Sequence, residues 1–206
     1  VGGGFCVYNG IAAGINTATG NIAITGLTVS TTYYFAVYEY NTAGTCYNLT
    51  ELTGNATTLC NASIPWTENF DAVSIPTFPS CWYKENGDWV TTDNGNSTWD
   101  ADARSGTQFL RDAYSATNEY IWTPGFSLTA GTSYDFSFWF AGDGYTDWTG
   151  DVFYNTGQTS VAATQMGSSF ITSGTTSTTT YAQVTRTLVA PSTATYYFAI
   201  RVNATF

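Results

Sequence analysis

Short runs in which apolar and polar residues alternate recur along the chain. The clearest is "YDFSFWF" at 134–140, where the even-numbered residues are aromatic and share one face, while Asp135, Ser137 and Trp139 share the other. A period of two predicts a strand with one face on a core and the other half exposed. We find no amphipathic segment of helical period longer than about two turns. Strands are predicted at 66–71, 81–84, 88–92, 107–111, 118–122, 132–141, 150–155, 180–189 and 194–203.

Three further strand-like runs lie near the start of the chain, namely "FCVYNG", "GNIAITGL" and "TTYYFAVYEYN". In the third, Tyr33, Phe35 and Val37 alternate onto one face. Leu27 precedes Tyr33 by six residues, and this pair resembles the tyrosine corner of a fibronectin type III domain. The resemblance covers about the last half of such a domain, so we expect its early strands to be missing and the chain to be a fragment.

These patterns predict an all-β chain with two modules. Residues 1–58 are predicted to be the C-terminal part of a fibronectin type III-like sandwich, and 59–65, "LCNASIP", a linker. Residues 66–206 are predicted to form a jelly-roll β-sandwich, because many short strands separated by frequent turn signals are typical of sandwiches and jelly rolls.

The charge balance excludes one class of function. The 206 residues include 5 basic and 15 acidic side chains, for a net charge of −10. A polyanion would be repelled and no basic stripe offsets this, so nucleic-acid binding is excluded. There is no run of eighteen apolar residues, so no membrane span is predicted.

The chain has four cysteines and no histidine. Without histidine, neither a Cys/His zinc site nor a nucleophile–His couple can form. An even number of cysteines in a β-rich, lysine-poor chain predicts disulfides and an oxidising, extracellular location, with three possible pairings. Four buried free thiols are the alternative.

The segment 66–82, "WTENFDAVSIPTFPSCW", combines carboxylates, aromatics, prolines and a Cys-Trp pair. It resembles the opening of the cleaved-adhesin or meprin-type adhesion jelly rolls of Bacteroidota surface proteins, which also carry strands like "YDFSFWF" and "YYFAIRV". The resemblance implies a calcium-stabilised sandwich involved in adhesion, strung in arrays with fibronectin-like modules and commonly exported by type IX secretion. Family members usually finish with an Asp-Asp-Val-like strand, so after "NATF" we expect the last strand to be missing.

Within this resemblance we favour a disulfide between Cys60 and Cys81. It would close a loop of about twenty residues, stabilise by about 3 kcal/mol and pin the linker to the jelly roll. That pairing leaves Cys6 with Cys46 in the first module.

Calcium is the cofactor that the resemblance implies. Calcium takes six to eight oxygen ligands, and by resemblance Glu68 is the first candidate ligand and Asp71 the second. Asp102 and Asp112 are further candidates, and the alternative is that Glu68 caps turn amides. A separate acidic loop, "AGDGYTDWTGD", could hold a second calcium or be an ordinary hairpin loop; its candidate ligands are Asp143, Asp147 and Asp151.

No catalytic site is predicted. Glu68 and Asp71 are three residues apart on a segment predicted to be extended, so they would project to opposite faces. A glycosidase needs two carboxylates that face each other across a sugar. A distant partner such as Asp112 or Glu119 stays open at this stage.

Exposed aromatics suggest a second kind of site. Flat rings that face solvent can pack against sugars, and Trp148, Trp139 and Trp99 lie among polar residues. The alternative is that each packs in the sandwich, as we expect for Trp66 and Trp82.

The sequence therefore predicts a non-catalytic segment of a large extracellular adhesin or surface-filament protein that mediates attachment or display. Its expected partners are neighbouring modules of the same chain, with surface glycans or host surface proteins as candidate ligands. Two alternatives stay open: a carbohydrate-binding module of a secreted polysaccharide-degrading enzyme, and a purely structural spacer.

Overall fold

The computed structural model describes residues 27–28, 31–37, 40–41, 46–47, 50–93, 103–112, 116–142, 144, 148–172 and 180–204. The chain divides into two compact units, Val1–Leu59 and Cys60–Phe206. The described residues are all-β and contain no helix, and hence no helix long and apolar enough to span a membrane.

The first unit contains two antiparallel pairs of strands. β1 (Thr32–Val37) pairs with β4 (Leu52–Thr57), and β2 (Tyr40–Asn41) pairs with β3 (Cys46–Tyr47). The predicted runs "FCVYNG" and "GNIAITGL" lie outside the described residues, apart from Leu27.

The predicted alternation in β1 holds for its first residues. Tyr33 and Phe35 are half-buried, whereas Tyr34 is 81% exposed. Val37, at the end of the strand, is exposed despite its predicted inward position. The hydroxyl of Tyr33 accepts a hydrogen bond from the amide of Thr28 at 2.8 Å, which is the kind of bond that a tyrosine corner makes.

The second unit is a two-layer sandwich built around its longest strand, β16 (Ala194–Ala204). One edge of β16 pairs with β12 (Trp148–Asn155). The other edge pairs with β10 (Gly125–Leu128) near the start of β16 and with β9 (Glu119–Trp122) near its end. Four short strands extend this layer: β5 (Asn61–Ala62) on β10, β6 (Tyr83–Lys84) on β9, and both β13 (Thr164–Gln165) and β14 (Ile171–Thr172) on β12.

The remaining described strands of the second unit form two separate pairs, of which the first packs against the large sheet. β11 (Ser133–Phe140) pairs with β15 (Ala182–Val189) over its whole length, and β7 (Val90–Thr92) pairs with β8 (Phe109–Arg111). Among the described strands, the two pairs share no hydrogen-bonded edge.

The core lies between the layers and is rich in aromatic residues. Phe136 of β11 stacks on Phe198 of β16, with ring centroids 5.0 Å apart and an interplanar angle of 4°. The even-numbered side chains from Tyr134 to Phe140 pack against the buried cluster, and Trp139 on the opposite face is 42% exposed. The predicted alternation of this strand is therefore confirmed.

The strand predicted at 66–71 is wrong, because 66–69 have no regular secondary structure and a bend at Phe70 leads into a turn at Asp71. The other eight predictions each overlap a strand, but β5, β10, β13 and β14 were not predicted, and neither were β3 and β4 of the first unit. The side-chain oxygens of Glu68 and Asn69 accept local hydrogen bonds from the amides of Phe70 and Asp71, and such bonds compete with a sheet ladder.

Candidate functional site

The segment 66–82 is fixed to the sandwich by its aromatic residues. Trp66 lies 6.0 Å from Trp82 and 5.4 Å from Phe126 of β10, measured between ring centroids, and Phe70 contacts Trp82 edge-on at 5.2 Å. Aromatic pairs in these geometries stabilise beyond the area that they bury. These three aromatics of the segment therefore have a packing role, as predicted for Trp66 and Trp82.

The two carboxylates of the segment accept hydrogen bonds from backbone amides. Glu68 Oε1 accepts from the amide of Phe70 at 2.8 Å, across a turn in which Phe70 has a φ of 64°. Asp71 Oδ1 accepts from the amides of Thr107 and Gln108 at 2.8 and 2.9 Å. Glu68 thus caps its own turn, and Asp71 ties the segment to the residues that lead into β8.

Gly106 makes the approach of Asp71 possible. It has a φ of +71°, and a Cβ atom at this position would lie 2.0 Å from Asp71 Oδ2. Both the left-handed backbone and the close contact favour glycine. The loop sequence "RSGTQ" therefore contains the signal for this contact, but the sequence alone does not identify Asp71 as its partner.

Amide donors lower the pKa of Asp71. The largest causes are the hydrogen bonds from the backbone of Thr107 and of Gln108, since bonds to the charged form of a carboxylate favour that form. A carboxylate with a lowered native pKa stabilises the fold above its unfolded pKa, and this contribution is lost as the pH falls through the native pKa.

We therefore expect Asp71→Asn to lower the free energy of unfolding at pH 7. The deficit relative to wild type should persist above about pH 5, shrink as the pH falls towards the lowered pKa of Asp71 in the folded state, and vanish below it. Urea unfolding between pH 2.5 and 7 measures this difference. Asp88→Asn removes an exposed carboxylate and is the matched control. A deficit for Asp71→Asn that stays constant with pH would contradict the role given to the charge.

The Cys60–Cys81 disulfide is present, with 5.4 Å between the Cα atoms and a sequence separation of 21. The carbonyl oxygen of Cys81 accepts from Gln158 Nε2 at 2.7 Å, and the carbonyl oxygen of Cys60 accepts from the amide of Gly125 at 3.0 Å. Both ends of the disulfide are thereby bonded to the rest of the second unit. Cys6 lies outside the described residues, as does the side chain of Cys46, so their pairing stays a prediction.

Replacing both Cys60 and Cys81 with Ser should lower the free energy of unfolding of the second unit by about 3 kcal/mol, because closing a loop of this size restricts the unfolded chain. Chemical denaturation with and without reductant measures the change. Reductant should destabilise the wild type and leave the double variant unchanged. If reductant did not change the free energy of unfolding of the wild type, although its thiols were shown to be reduced, this estimate would be contradicted.

The predicted calcium ligands are only partly brought together. Glu68 and Asp112 line the same cavity between the two layers, but Asp71 Oδ1 accepts three hydrogen bonds and Oδ2 accepts a fourth from Asn69. A carboxylate has about four lone-pair sites, so these four bonds compete with calcium for the oxygens of Asp71, and its role as a ligand stays a prediction. Within the described residues, no group of three His, Cys, Asp or Glu side chains could hold a metal ion. Asp102 lies outside them.

In the second acidic loop, Asp143 and Asp147 lie outside the described residues. Asp151 is 1% exposed and forms an ion pair with Arg201. Its Oδ1 also accepts from Gln165 Nε2 and Ser169 Oγ, each at 2.6 Å. Asp151 is therefore the buried centre of a polar network that includes Gln165 of β13, Ser169 and Arg201.

Two members of the predicted sugar platform, Trp139 and Trp148, border the same cavity. Trp139 is exposed, and the guanidinium of Arg104 lies 3.7 Å from the centroid of its ring, which is a cation–π contact. Trp148 is half-buried in β12 and borders the inter-layer cavity, and Trp99 lies outside the described residues. One face of the Trp139 ring is thus already covered by a side chain of the same chain.

Sequence reasoning missed Glu85. Its carboxylate accepts from Trp122 Nε1 at 2.8 Å and from the amide and hydroxyl of Ser160 at 2.8 and 2.7 Å. Burial raises the pKa of Glu85, but the hydrogen bonds from Ser160 and Trp122 together bring it below its ordinary value. Glu119 is also buried, and it accepts from the amide of Asp88 at 2.7 Å. No local pattern marks Glu85, because its partners lie 37 and 75 residues away along the chain. Glu119 accepts from Asp88, 31 residues away, and also from the amide of Thr117, two residues away.

No protein-family model matches the chain, and no curated protein matches it either. Two solved structures are similar to it. The K2 cleaved adhesin domain of Lys-gingipain (Kgp) has 16% identity and a TM-score of 0.43, over 68% of this chain and 94% of that one.

The K1 cleaved adhesin domain of Lys-gingipain from Porphyromonas gingivalis W83 has 14% identity and a TM-score of 0.40, over 66% of this chain and 93% of that one. Both are cleaved adhesin domains, the class that the sequence resembles. At these identities and TM-scores the similarity assigns neither a family nor a function to this chain.

Proposed function

We propose that the chain is a non-catalytic segment of a large extracellular surface protein, in which it mediates attachment or display. The observation that carries the proposal is the structural role of segment 66–82, which has the strongest candidates for a catalytic or metal-binding site in the sequence. Its tryptophans pack, and its carboxylates bind backbone amides. Such a segment stabilises a sandwich and does not place two carboxylates across a substrate.

The disulfide supports an extracellular location. Disulfides persist in oxidising compartments and are rare where thiols are kept reduced. The chain also has only 10% charged residues and a net charge of −10. We infer that the parent protein is exported and that this segment works at the cell surface beside other modules of the same polypeptide.

Protease shaving of intact source cells tests the location. We expect peptides of this chain to appear in the digest of unbroken cells, together with peptides of known surface proteins and without cytoplasmic ones. Peptides that appear only after lysis would contradict the proposal.

A carbohydrate-binding role is the second candidate, and the exposure of Trp139 favours it. A glycan array distinguishes the two roles, with Trp139→Ala beside the wild type. Affinity for a defined polysaccharide that is lost in Trp139→Ala would favour the sugar-binding role. Val161→Ala changes a side chain that is also exposed and is the matched control.

Calcium binding remains a prediction, with Glu68 as the first candidate ligand. If the native second unit binds calcium, a 100-fold excess over the dissociation constant adds about 2.7 kcal/mol to its stability. Thermal unfolding with calcium and with chelator measures this, and the rise should disappear in Glu68→Gln but persist in Asp71→Asn. An unchanged midpoint in the wild type would contradict the calcium prediction and leave the turn-capping role of Glu68 intact.

A further inference from the structure

The Cys60–Cys81 disulfide lies at the point where tension along the chain enters the second unit. The first unit ends at Leu59 and the second begins at Cys60, so a pull on the first unit reaches the second through the backbone of Cys60. Two covalent routes lead onward from there, one along 61–80 and one across the disulfide to Cys81. Because the two Cα atoms are 5.4 Å apart in space but 21 positions apart in sequence, the disulfide becomes taut first and carries the tension.

The bypassed residues, 61–80, are held to the second unit by non-covalent contacts that a pull from Cys60 would meet one after another. β5 comes first and pairs with β10 at two positions. The ring of Trp66 then packs against Phe126 at 5.4 Å, and Asp71 Oδ1 accepts from two backbone amides. Contacts that break singly resist a pull less than contacts that break together. Without the disulfide, this segment would therefore detach first.

Residues 81–85 receive the tension after the disulfide, and we call them the anchor. The carbonyl oxygen of Cys81 accepts from Gln158 Nε2 at 2.7 Å. β6 pairs with β9, and the amide of Glu85 donates to the carbonyl oxygen of Tyr120 at 3.1 Å. The anchor is thus bonded both to the large sheet and to the loop that follows β12.

The carboxylate of Glu85 strengthens the anchor. It accepts from Trp122 Nε1 at 2.8 Å and from the amide and hydroxyl of Ser160 at 2.8 and 2.7 Å, and Trp122 is fully buried. Hydrogen bonds to a charged group contribute more to stability than bonds between neutral groups. Since all these bonds lie within five residues of chain, they share the tension, whereas the contacts of 61–80 would meet it singly.

We propose that the disulfide and the anchor form a mechanical clamp, which passes tension from the first unit to 81–85 and keeps 61–80 folded under load. This inference rests on the proposed function, because a segment that mediates attachment is pulled along its chain. Most of the segment 66–82, including the contacts of Trp66 and Asp71, lies inside the shielded loop. Its surface therefore stays folded while the protein is under tension.

Optical tweezers test the clamp on the whole chain of 206 residues, tethered by its two ends. We expect the wild type to show no release of 61–80 before the second unit unfolds. The double variant Cys60→Ser with Cys81→Ser should show an early event at lower force, with the rest of the unit still folded. This event should lengthen the chain by about 70 Å, because 21 residues of extended chain span up to about 3.6 Å each.

Reduction of the folded wild type is the second measurement, and it serves if the double variant does not fold. Both cysteines are half-buried and so partly accessible to a thiol reductant. With the chain held at a force between those of the two events, reduction should lengthen it by the same distance, about 70 Å. The predicted Cys6–Cys46 disulfide would release nearly twice that length, because its cysteines are nearly twice as far apart in sequence.

Two carboxylate variants distinguish the anchor from the shielded loop. With the disulfide intact, Glu85→Gln should raise the unfolding rate of the second unit at a given force roughly tenfold to a hundredfold, the effect of losing hydrogen bonds to a charged group. Asp71→Asn is the matched control, because Asp71 also accepts backbone amides but lies inside the loop, so its effect should be smaller. Without the disulfide the order should reverse for the early event, which Asp71→Asn should accelerate about tenfold and Glu85→Gln should leave unchanged.

Two results would overturn the clamp. If the double serine variant unfolds in one event, 61–80 resists tension as well as the rest of the unit and needs no shield. If Glu85→Gln and Asp71→Asn act equally with the disulfide intact, the anchor does not carry the tension. Either result leaves the surface role standing, which protease shaving tests separately. A chain absent from the cell surface would contradict that role without changing the lengths measured in the tweezers.

Discussion

Phe198→Ala is expected to lower the free energy of unfolding of the second unit by about 3 to 5 kcal/mol, the range for loss of a buried aromatic side chain. Phe198 is 5% exposed, stacks on Phe136 across the layers and contacts Phe126 within its own sheet. Its removal takes from Phe136 the ring on which it stacks across the layers, and from Phe126 one of its ring contacts.

Tryptophan fluorescence during urea unfolding measures this loss. All seven tryptophans lie in the second unit, so the signal reports that unit alone. Val189→Ala is the matched control, because Val189 is 57% exposed at the end of β15; it should change the stability by less than about 1 kcal/mol. A loss for Phe198→Ala no larger than that of the control would mean that the layers are not packed through this ring.

Asp151→Ala should be destabilising by a similar amount, about 3 to 5 kcal/mol. Asp151 is buried, and its removal leaves the Arg201 guanidinium, on a side chain only 24% exposed, without its ion-pair partner. Gln165 and Ser169 lose the acceptor that they share. Breaking a buried pair from one side costs this much because a charge stays desolvated.

The double variant Asp151→Leu with Arg201→Met distinguishes the cost of an unpaired buried charge from the cost of a packing defect. Apolar replacement of both partners is often close to neutral, so the double variant should be more stable than Asp151→Ala in the same urea assay. Asp135→Ala, which removes an exposed carboxylate bonded to Thr187, should cost less than about 1 kcal/mol. A double variant as unstable as Asp151→Ala would contradict the assignment to an unpaired charge.

The parts of the fold that follow from local patterns were predictable. The alternation in 134–140 has a period of two, and its aromatic residues face the core as expected. The short strand β10 was missed, because Gly125 and Phe126 owe their strand conformation to pairing with β16 and β5, which lie far away in sequence.

The candidate site was less predictable, because its contacts join distant parts of the chain. Asp71 bonds to residues 36 and 37 positions away, and Asp151 pairs with a residue 50 positions away. Carboxylates that bind amides and carboxylates that bind metal ions have the same residue type and the same neighbours in sequence. Only the geometry of the donors distinguishes them, and for Asp71 it favours the amides.

The proposed surface role is tested most directly by blocking this chain on living cells. Fab fragments raised against the purified chain are added to source cells, and attachment of the cells to a surface is counted beside cells treated with a non-binding Fab. We expect the specific Fab to bind intact cells and to reduce attachment, without slowing the breakdown of polysaccharides. A Fab that binds intact cells, leaves attachment unchanged and slows polysaccharide breakdown would contradict the adhesive role and favour a module that serves an enzyme.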